Sequence, residues 1–239
     1  MVYSVLITGA NRGIGLEFVR QYAHKKYKVF ATYLPGGDTH ELEELAQNYP
    51  NIKRIPMDIT QENNIAQVAQ QLINEKIDIL INNAGIFGSD QDLEHITADT
   101  MIAVFTVNAI GPLLVTKHFM NHVASSSLKT LVAISSRRGS ISYILSTGKE
   151  LESTFAYSAG KAALNIIMSK IALETHDGGV KTLLFHPGHV KTAMGGPNAE
   201  IEVNTSVSGM INVIEKSASK TISSLKQFFY NYDGTPMSW

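Results

Sequence analysis

The chain has no cysteine, one tryptophan and seven prolines in 239 residues, and charged residues make up only 17% of it. Without cysteine there is no disulfide, no thiolate metal site and no cysteine nucleophile, so any catalysis must use oxygen, nitrogen or a cofactor. The same absence fits a reducing compartment, and a cytoplasmic location is expected. Neither sign of charge dominates, since 20 Lys and Arg stand against 21 Asp and Glu for a formal net charge of −1. That balance leaves no footprint for nucleic acid or an anionic membrane surface. Long hydrophobic runs are missing as well. The longest apolar region, Ile102 to Val115, is interrupted by Thr106, Asn108 and Pro112 and falls short of the roughly 20 residues a spanning helix needs, so no membrane is expected as a partner. The N-terminus has no basic stretch, and its apolar run ends at Thr8-Gly9, which reads as a strand and not as a signal. Apolar residues at 44% are enough for a sizeable core, which excludes disorder.

What is present is alternation. Val2 to Thr8 reads as a strand, and Ile14, Leu16, Phe18, Val19, Tyr22 and Ala23 then follow helical spacing to a basic end at His24, Lys25 and Lys26. Lys28 to Tyr33 is a second strand, closed by Leu34-Pro35-Gly36-Gly37, after which Asp38 and Glu41 resemble a capping box for a helix to about Asn48. Ile52 to Met57 is a third strand, Thr60 is expected to cap a helix through Glu75, and Ile77 to Ile81 is a strand apolar enough to be buried on both faces. Three more pairs follow: a helix from about Thr97 to His122 before the strand Thr130 to Ser135, one from about Thr154 to Thr175 before Lys181 to Phe185, and one near Val207 to Lys220 before Gln227 to Tyr230. Such alternation predicts an α/β fold, a doubly wound, seven-stranded parallel sheet with helices on both faces, Rossmann-type, as one domain over 1–239. Ligand should bind at the carboxyl ends of the strands. The irregular stretches 137–153 and 193–205 follow strands, and are expected to border the substrate.

The first strand-to-helix turn reads Thr8-Gly9-Ala10-Asn11-Arg12-Gly13-Ile14-Gly15. Glycines at 9, 13 and 15 allow a tight turn, let backbone N–H groups approach a pyrophosphate, and let the helix pack closely with its N-terminus facing the anion. The spacing is Gly-x-x-x-Gly-x-Gly, and not the Gly-x-Gly-x-x-Gly of the commoner dinucleotide fingerprint. Tyr157 and Lys161, four residues apart, share a helix face, so an ammonium can stand near a phenol and lower its pKa from the usual value of about 10. That makes Tyr157 a candidate acid or base for proton transfer. Ser135 and Ser136 end the fifth strand, where a hydroxyl can orient the reacting oxygen. His118 and His122 have the i, i+4 spacing of zinc ligands, but Phe119 stands where a zinc protease needs glutamate, and no metal is expected. His186 and His189 flank the turn at Pro187-Gly188, as cofactor or substrate contacts or as packed loop residues.

With Asn82-Asn83-Ala84-Gly85, Tyr157-Ser158-Ala159-Gly160-Lys161 and Pro187-Gly188-His189-Val190-Lys191-Thr192 in this order after the glycine turn, the chain resembles the short-chain dehydrogenase/reductase family over essentially its whole length. Within it, the long segment from Ser136 to Tyr157 and the terminal Asn231-Tyr232-Asp233-Gly234-Thr235-Pro236-Met237-Ser238-Trp239 are most similar to the branch of C-factor and sniffer-type carbonyl reductases. The resemblance implies reduction of an aldehyde or ketone with a nicotinamide cofactor. It assigns catalysis to Asn108, Ser136, Tyr157 and Lys161, with Asn108 interrupting a helix and supporting the lysine through water. Ser135, Ser140 and Ser142 compete with Ser136, because the segment between serine and tyrosine is longer than usual in the family.

Cofactor contacts are implied for Gly9, Asn11, Arg12, Gly13, Ile14 and Gly15, for Asn83, Ala84 and Gly85, and again for Tyr157 and Lys161. Thr192 would meet the nicotinamide carboxamide beside the backbone of Val190, with Pro187 and Gly188 turning the chain under the ring. Asp58 and Ile59 would meet the adenine, although Asp58-Ile59-Thr60 equally suits helix capping. Where the adenosine ribose would lie the residue is Tyr33, no acid occurs before Asp38, and Arg12 can receive a 2′-phosphate. NADP(H) is therefore favoured, with NAD(H) possible. The partner is a small carbonyl or alcohol substrate. Oligomerisation as a homodimer or homotetramer is expected by analogy, through the long helices around Asn108 and Tyr157. Two other readings follow from the same residues: a C-factor-like signalling protein that binds the dinucleotide without essential turnover, and an NAD-dependent alcohol dehydrogenase.

Overall fold

The computed structural model describes residues 2–89, 92–147, 154–218 and 227–239; parts of the 137–153 loop, and the end of the last helix at 219–220, lie outside them. Strands β1 (Ser4–Ile7), β2 (Lys28–Tyr33), β3 (Ile52–Pro56), β4 (Ile79–Asn82), β5 (Thr130–Ile134), β6 (Lys181–His186) and β7 (Phe229–Asn231) form one sheet in the order β3-β2-β1-β4-β5-β6-β7. Every pairing is parallel, with Ile7 beside Ala31 and Ile81, Asn82 beside Ala133, Ile134 beside Phe185, and His186 beside Asn231. The chain winds outward from β1 to β3, then returns to place β4 on the other side of β1. The strand order therefore reverses between β1 and β4, and in open α/β sheets the ligand crevice opens at that point, beyond the carboxyl ends.

Two layers of helices cover the sheet because its central strands are apolar on both faces. Successive residues of β1 show the division, with Leu6 in one core and Val5 and Ile7 in the other. The first core takes α3 (Glu62–Gln71) through Ile65, Val68 and Ala69, α5 (Gly111–Ala124) through Val115, Phe119 and Val123, and α7 (Phe155–Thr175) through Leu164 and Met168. The second takes α1 (Gly13–His24), α2 (His40–Asn48) and α8 (Val203–Ala218) through Phe18, Leu42 and Met210.

Helix α4 (Ala98–Phe105) runs into α5 through a π-helical turn at Thr106–Ile110. The whole run, Ala98–Ala124, is long and apolar enough to cross a membrane by length and composition, with mean hydropathy 1.6, because the polar residues that interrupt the sequence do not interrupt the helix. Its inner side, including Val104, Ala109 and Phe119, is nevertheless buried in this domain.

Several local signals resolve differently from their sequence reading. Asp38 is not the cap of α2: Thr39 stands there, while Asp38 Oδ1 accepts from the His40 amide at 3.0 Å. Gln61, not Thr60, precedes α3, since Thr60 is drawn back by donating to Asp58 Oδ1 at 2.7 Å. The last strand is displaced to Phe229–Asn231, where the register set by β6 places it. The 137–153 segment carries a 3-10 turn at Arg137–Gly139 and a short helix α6 (Ile141–Thr147).

Candidate active site

The turns after β1 and β4 meet at the strand-order reversal. Gly9 has φ +63, and a side chain there would lie 2.9 Å from the Ala84 Cα, so both the left-handed backbone and the close approach require glycine. Thr8 binds the two turns together. Its Oγ1 accepts from the amides of Asn83 and Ala84, each at 3.0 Å, while Asn83 Nδ2 donates to the carbonyls of Thr8 at 2.8 Å and Gly9 at 3.1 Å. Gly15 packs against the Gly9 carbonyl, and Gly13 faces the Thr192 side chain. Thus the loop after β6 reaches across to the glycine turn. No side chain caps the start of α1 at Arg12, which leaves the first amides of that helix, Gly13, Ile14 and Gly15, directed into the crevice without an intrahelical acceptor. This geometry fits a dinucleotide pyrophosphate held at a helix N-terminus.

On the adenosine side, Asn11 Nδ2 donates to the Asp38 carbonyl at 2.8 Å and ties the glycine turn to the loop after Tyr33. Asp38's carboxylate is engaged in the start of α2, Arg12 is exposed, and Leu34 is exposed. Asp58 organises its own turn, accepting from the Thr60 amide at 2.9 Å. The Ile59 side chain is buried in the core and packs on Gly111, so any contact it makes with a nucleotide would be through the backbone.

The carboxyl end of β5 brings the proton-transfer candidates together. Ser136 lies against Tyr157 closely enough to favour its phenolate, and its Oγ accepts from the Arg138 amide at 3.1 Å. That acceptance uses a lone pair and leaves the serine hydrogen for an oxygen in the site. The three competing serines point elsewhere: Ser135 donates 2.6 Å to buried Asn165, Ser140 accepts from the Tyr143 amide at 3.1 Å, and Ser142 donates to the Trp239 carbonyl at 2.6 Å. Lys161 is buried, and its ammonium donates 2.8 Å to the Ile134 carbonyl. Gly85 separates Lys161 Nζ from Asn108 Oδ1, both of which a side chain at Gly85 would touch. Asn108, wholly buried in the π turn, grips the Ile86 backbone with both ends of its amide, at 2.9 and 2.8 Å.

The electrostatics differ from the reading of a tyrosine lowered by its lysine. Desolvation raises the Tyr157 pKa above its ordinary value, opposed by the Ser136 hydroxyl and then by the charge of Arg138. Burial brings Lys161 down to about 8. The ammonium stands 5.7 Å from the Tyr157 ring centroid, and Phe87 covers another side of that ring at 4.9 Å. Arg138 is the cation that favours the phenolate here, and it is held by donation to Thr154 Oγ1 at 3.1 Å.

Thr192 Oγ1 accepts from the Gly195 amide at 3.1 Å, and Val190 is buried, bridged to Ile201. Gly188, after Pro187, has φ +84 and faces Ile201 and Tyr232. His118 meets Glu62 at 3.1 Å, whereas His122 is buried, so this pair does not share a surface. Thr8, Phe87, Arg138 and Asn165 were not singled out in sequence. The Thr8 hydroxyl next to a glycine turn is the one legible signal among them; the others depend on how distant segments meet.

Residues 3–202 match the family described as short chain dehydrogenase. The C-signal protein of Myxococcus xanthus is 34% identical over 163 residues, covering 68% of this chain and 93% of its own length. Among solved structures, the NADPH-bound carbonyl reductase from chicken fatty liver superposes with TM-score 0.87 at 33% identity, over 100% of this chain and 99% of that one. The carbonyl reductase Sniffer of D. melanogaster gives 0.88 at 25% identity over 100% of both chains. The chain is an oxidoreductase that belongs to the short-chain dehydrogenase family, with C-signal and Sniffer among its relatives.

Proposed function

We propose that the chain reduces an aldehyde or ketone with NADPH. The observation that carries this reading is the gathering of Ser136, Tyr157 and Lys161 at the carboxyl end of β5, where the Lys161 ammonium donates to the Ile134 carbonyl at 2.8 Å and stands 5.7 Å from the Tyr157 ring centroid, beside a helix N-terminus and glycine turn that fit a pyrophosphate. When bound, the cofactor supplies the hydride. Gly9, Gly13, Ile14 and Gly15 hold its diphosphate, Arg12 and Asn11 meet the phosphorylated ribose near Tyr33, and Asp58 and the Ile59 backbone border the adenine. Asn83, Ala84, Gly85, Pro187, Gly188, Val190 and Thr192 border the nicotinamide end.

Ser136 donates a hydrogen bond to the substrate carbonyl oxygen and orients it. Tyr157 gives its proton to the same oxygen as negative charge develops there. A raised pKa keeps the phenol protonated at neutral pH, which suits the reductive direction. Lys161 supplies positive charge beneath the tyrosine, and Asn108 fixes the Gly85-Ile86 backbone next to it. The described residues 137–147 and the segment 193–205 border the substrate side. Exposed Ile102, Leu113 and Ile166 on α4, α5 and α7 support a homodimer or homotetramer through these helices, and a cytoplasmic location accords with the lack of cysteine.

The similarity to C-signal favours a second reading, a signalling protein that uses the dinucleotide without turnover. Replacing Tyr157 with Phe separates the two. On the first reading NADPH binding persists by fluorescence titration while NADPH oxidation with a panel of aldehydes and ketones disappears. An unsubstituted protein that binds NADPH and turns over no carbonyl or alcohol supports the second.

A further inference from the structure

The residue after Ser136, Arg137, lines a cavity of about 290 Å³ at the carboxyl ends of β6 and β7, together with His186, Gly188, His189, Glu200, Ile201 and Tyr232 among others. Arg137 is half-buried, and its guanidinium rests 5.5 Å from the Tyr143 ring centroid. Among the described residues it has no carboxylate partner. His186 is 8% exposed, and its Nδ1 has no hydrogen-bond partner. Burial, then the charges of Arg137 and His189, push the His186 pKa down to about 3, so its ring is neutral and offers a hydrogen bond instead of a charge. His189 is already committed through Nε2 to the Gly195 carbonyl at 2.7 Å.

We propose that this cavity is the subsite for a carboxylate carried by a carbonyl substrate, with Arg137 as the cation and the neutral His186 ring in the wall beside it. The inference rests on the reductase reading for the reacting end and adds a substrate class to it. Ile201 and Tyr232 supply its apolar surface. Guanidinium and carboxylate match as a two-point hydrogen-bonded pair. Glu200 is exposed and contributes the opposing charge at the rim, which disfavours a dianion such as a phosphate monoester and leaves a single carboxylate as the fitting anion. Arg137 follows Ser136 directly, so one small molecule can present its carbonyl to the serine and its acid to the arginine.

The test compares 2-, 3- and 4-carboxybenzaldehyde with their methyl esters, using NADPH, in the unsubstituted protein and in Arg137→Gln and Arg137→Lys. At least one acid should exceed its ester in kcat/KM by roughly tenfold to a hundredfold, the scale of a charge-assisted pair; R137Q should bring the acid to the level of the ester, and R137K should retain part of the difference. Equal rates for acid and ester in every isomer, or a preference that survives in R137Q, overturn the proposal. Calorimetric titration of benzoate into the NADPH-loaded protein tests the subsite apart from turnover. Benzoate binding that is weakened at least tenfold by R137Q upholds it even if no aldehyde is reduced, in which case the reductase reading alone fails. Equal benzoate affinity in the two proteins overturns it, and matching melting temperatures show that R137Q is folded.

Discussion

The Lys161 ammonium donates to the Ile134 carbonyl at 2.8 Å and stands 5.7 Å from the Tyr157 ring centroid. The last carbonyl of β5 thus holds the lysine under the tyrosine, at the same strand end that presents Ser136. Strand and helix are bound to one another at the point where proton transfer is proposed.

That placement gives the reaction a pH limit. Lys161 is brought down to about 8 by burial, while Tyr157 is raised. In the reductive direction both groups must be protonated, so the one that loses its proton first sets the alkaline limb. Below pH 8 the ammonium is present; above it the charge beneath Tyr157 is lost. The value of kcat/KM for NADPH, which reports the free enzyme, should fall with an apparent pKa of about 8. In Lys161→Arg, whose guanidinium stays charged, that limb should move beyond pH 10 even if the maximum rate is lower. A limb that remains near 8 in K161R would assign it to another group.

Neighbouring serines should separate by the kind of damage their loss causes. Ser136 lies against Tyr157, whereas Ser135 is 1% exposed and donates 2.6 Å to Asn165. Ser136→Ala is expected to lower kcat by roughly a hundredfold, as for removal of an oriented donor to a developing oxyanion, with the melting temperature little changed. Ser135→Ala should leave a buried Asn165 oxygen unpaired, at about 1–3 kcal/mol of stability, while kcat falls far less. Steady-state kinetics and thermal melts on both variants check this, and a larger kcat loss in S135A would reverse the assignment.

The sheet was legible because its central strands are apolar on both faces and the helices between them are amphipathic, two patterns that a sequence displays directly. All seven strands and the order of the helices follow from it. The fine structure was not. Thr39 and Gln61 precede α2 and α3 because Asp38 and Asp58 use their carboxylates within their own turns, a competition among short polar side chains that sequence alone does not decide. Within the site, Asn108, Gly85 and Lys161 lie together, with Lys161 bound to the end of β5. Arg138, Phe87 and the carbonyl of Ile134 come into contact with Tyr157 or Lys161 only through tertiary packing of β5, α7 and the β4 loop. The direction of the Tyr157 pKa was also hidden, since desolvation is a property of surroundings and not of the residue pair.

Cofactor choice should rest on Arg12. It is exposed at the start of α1, beside the Asn11 side chain that joins the glycine turn to Asp38. An arginine on a ribose phosphate is worth roughly 1.5–3 kcal/mol as a charge-assisted contact. Arg12→Ala is therefore expected to weaken NADPH binding roughly tenfold to a hundredfold while NADH binding stays nearly constant. Fluorescence titration with the two cofactors measures the ratio. Equal loss for both would mean that Arg12 acts on the shared diphosphate or on the turn itself.

Thr8 should be the most sensitive position of the crevice that touches no reacting atom. It is 1% exposed, and its hydroxyl oxygen accepts both the Asn83 and Ala84 amides at 3.0 Å. Valine at this site keeps the shape and removes the acceptor, which leaves two backbone donors unpaired at about 1–3 kcal/mol each. For a domain of this size each kcal/mol lowers the melting temperature by roughly 2–4 °C, so Thr8→Val should lose several degrees. The β4 turn would also be freed from the glycine turn, and NADPH affinity should fall with it. Thr8→Ser keeps the hydroxyl and should restore most of both losses. A T8V protein that melts and binds NADPH like the unsubstituted chain would show that the two turns are positioned by their glycine packing alone, with the hydroxyl adding nothing.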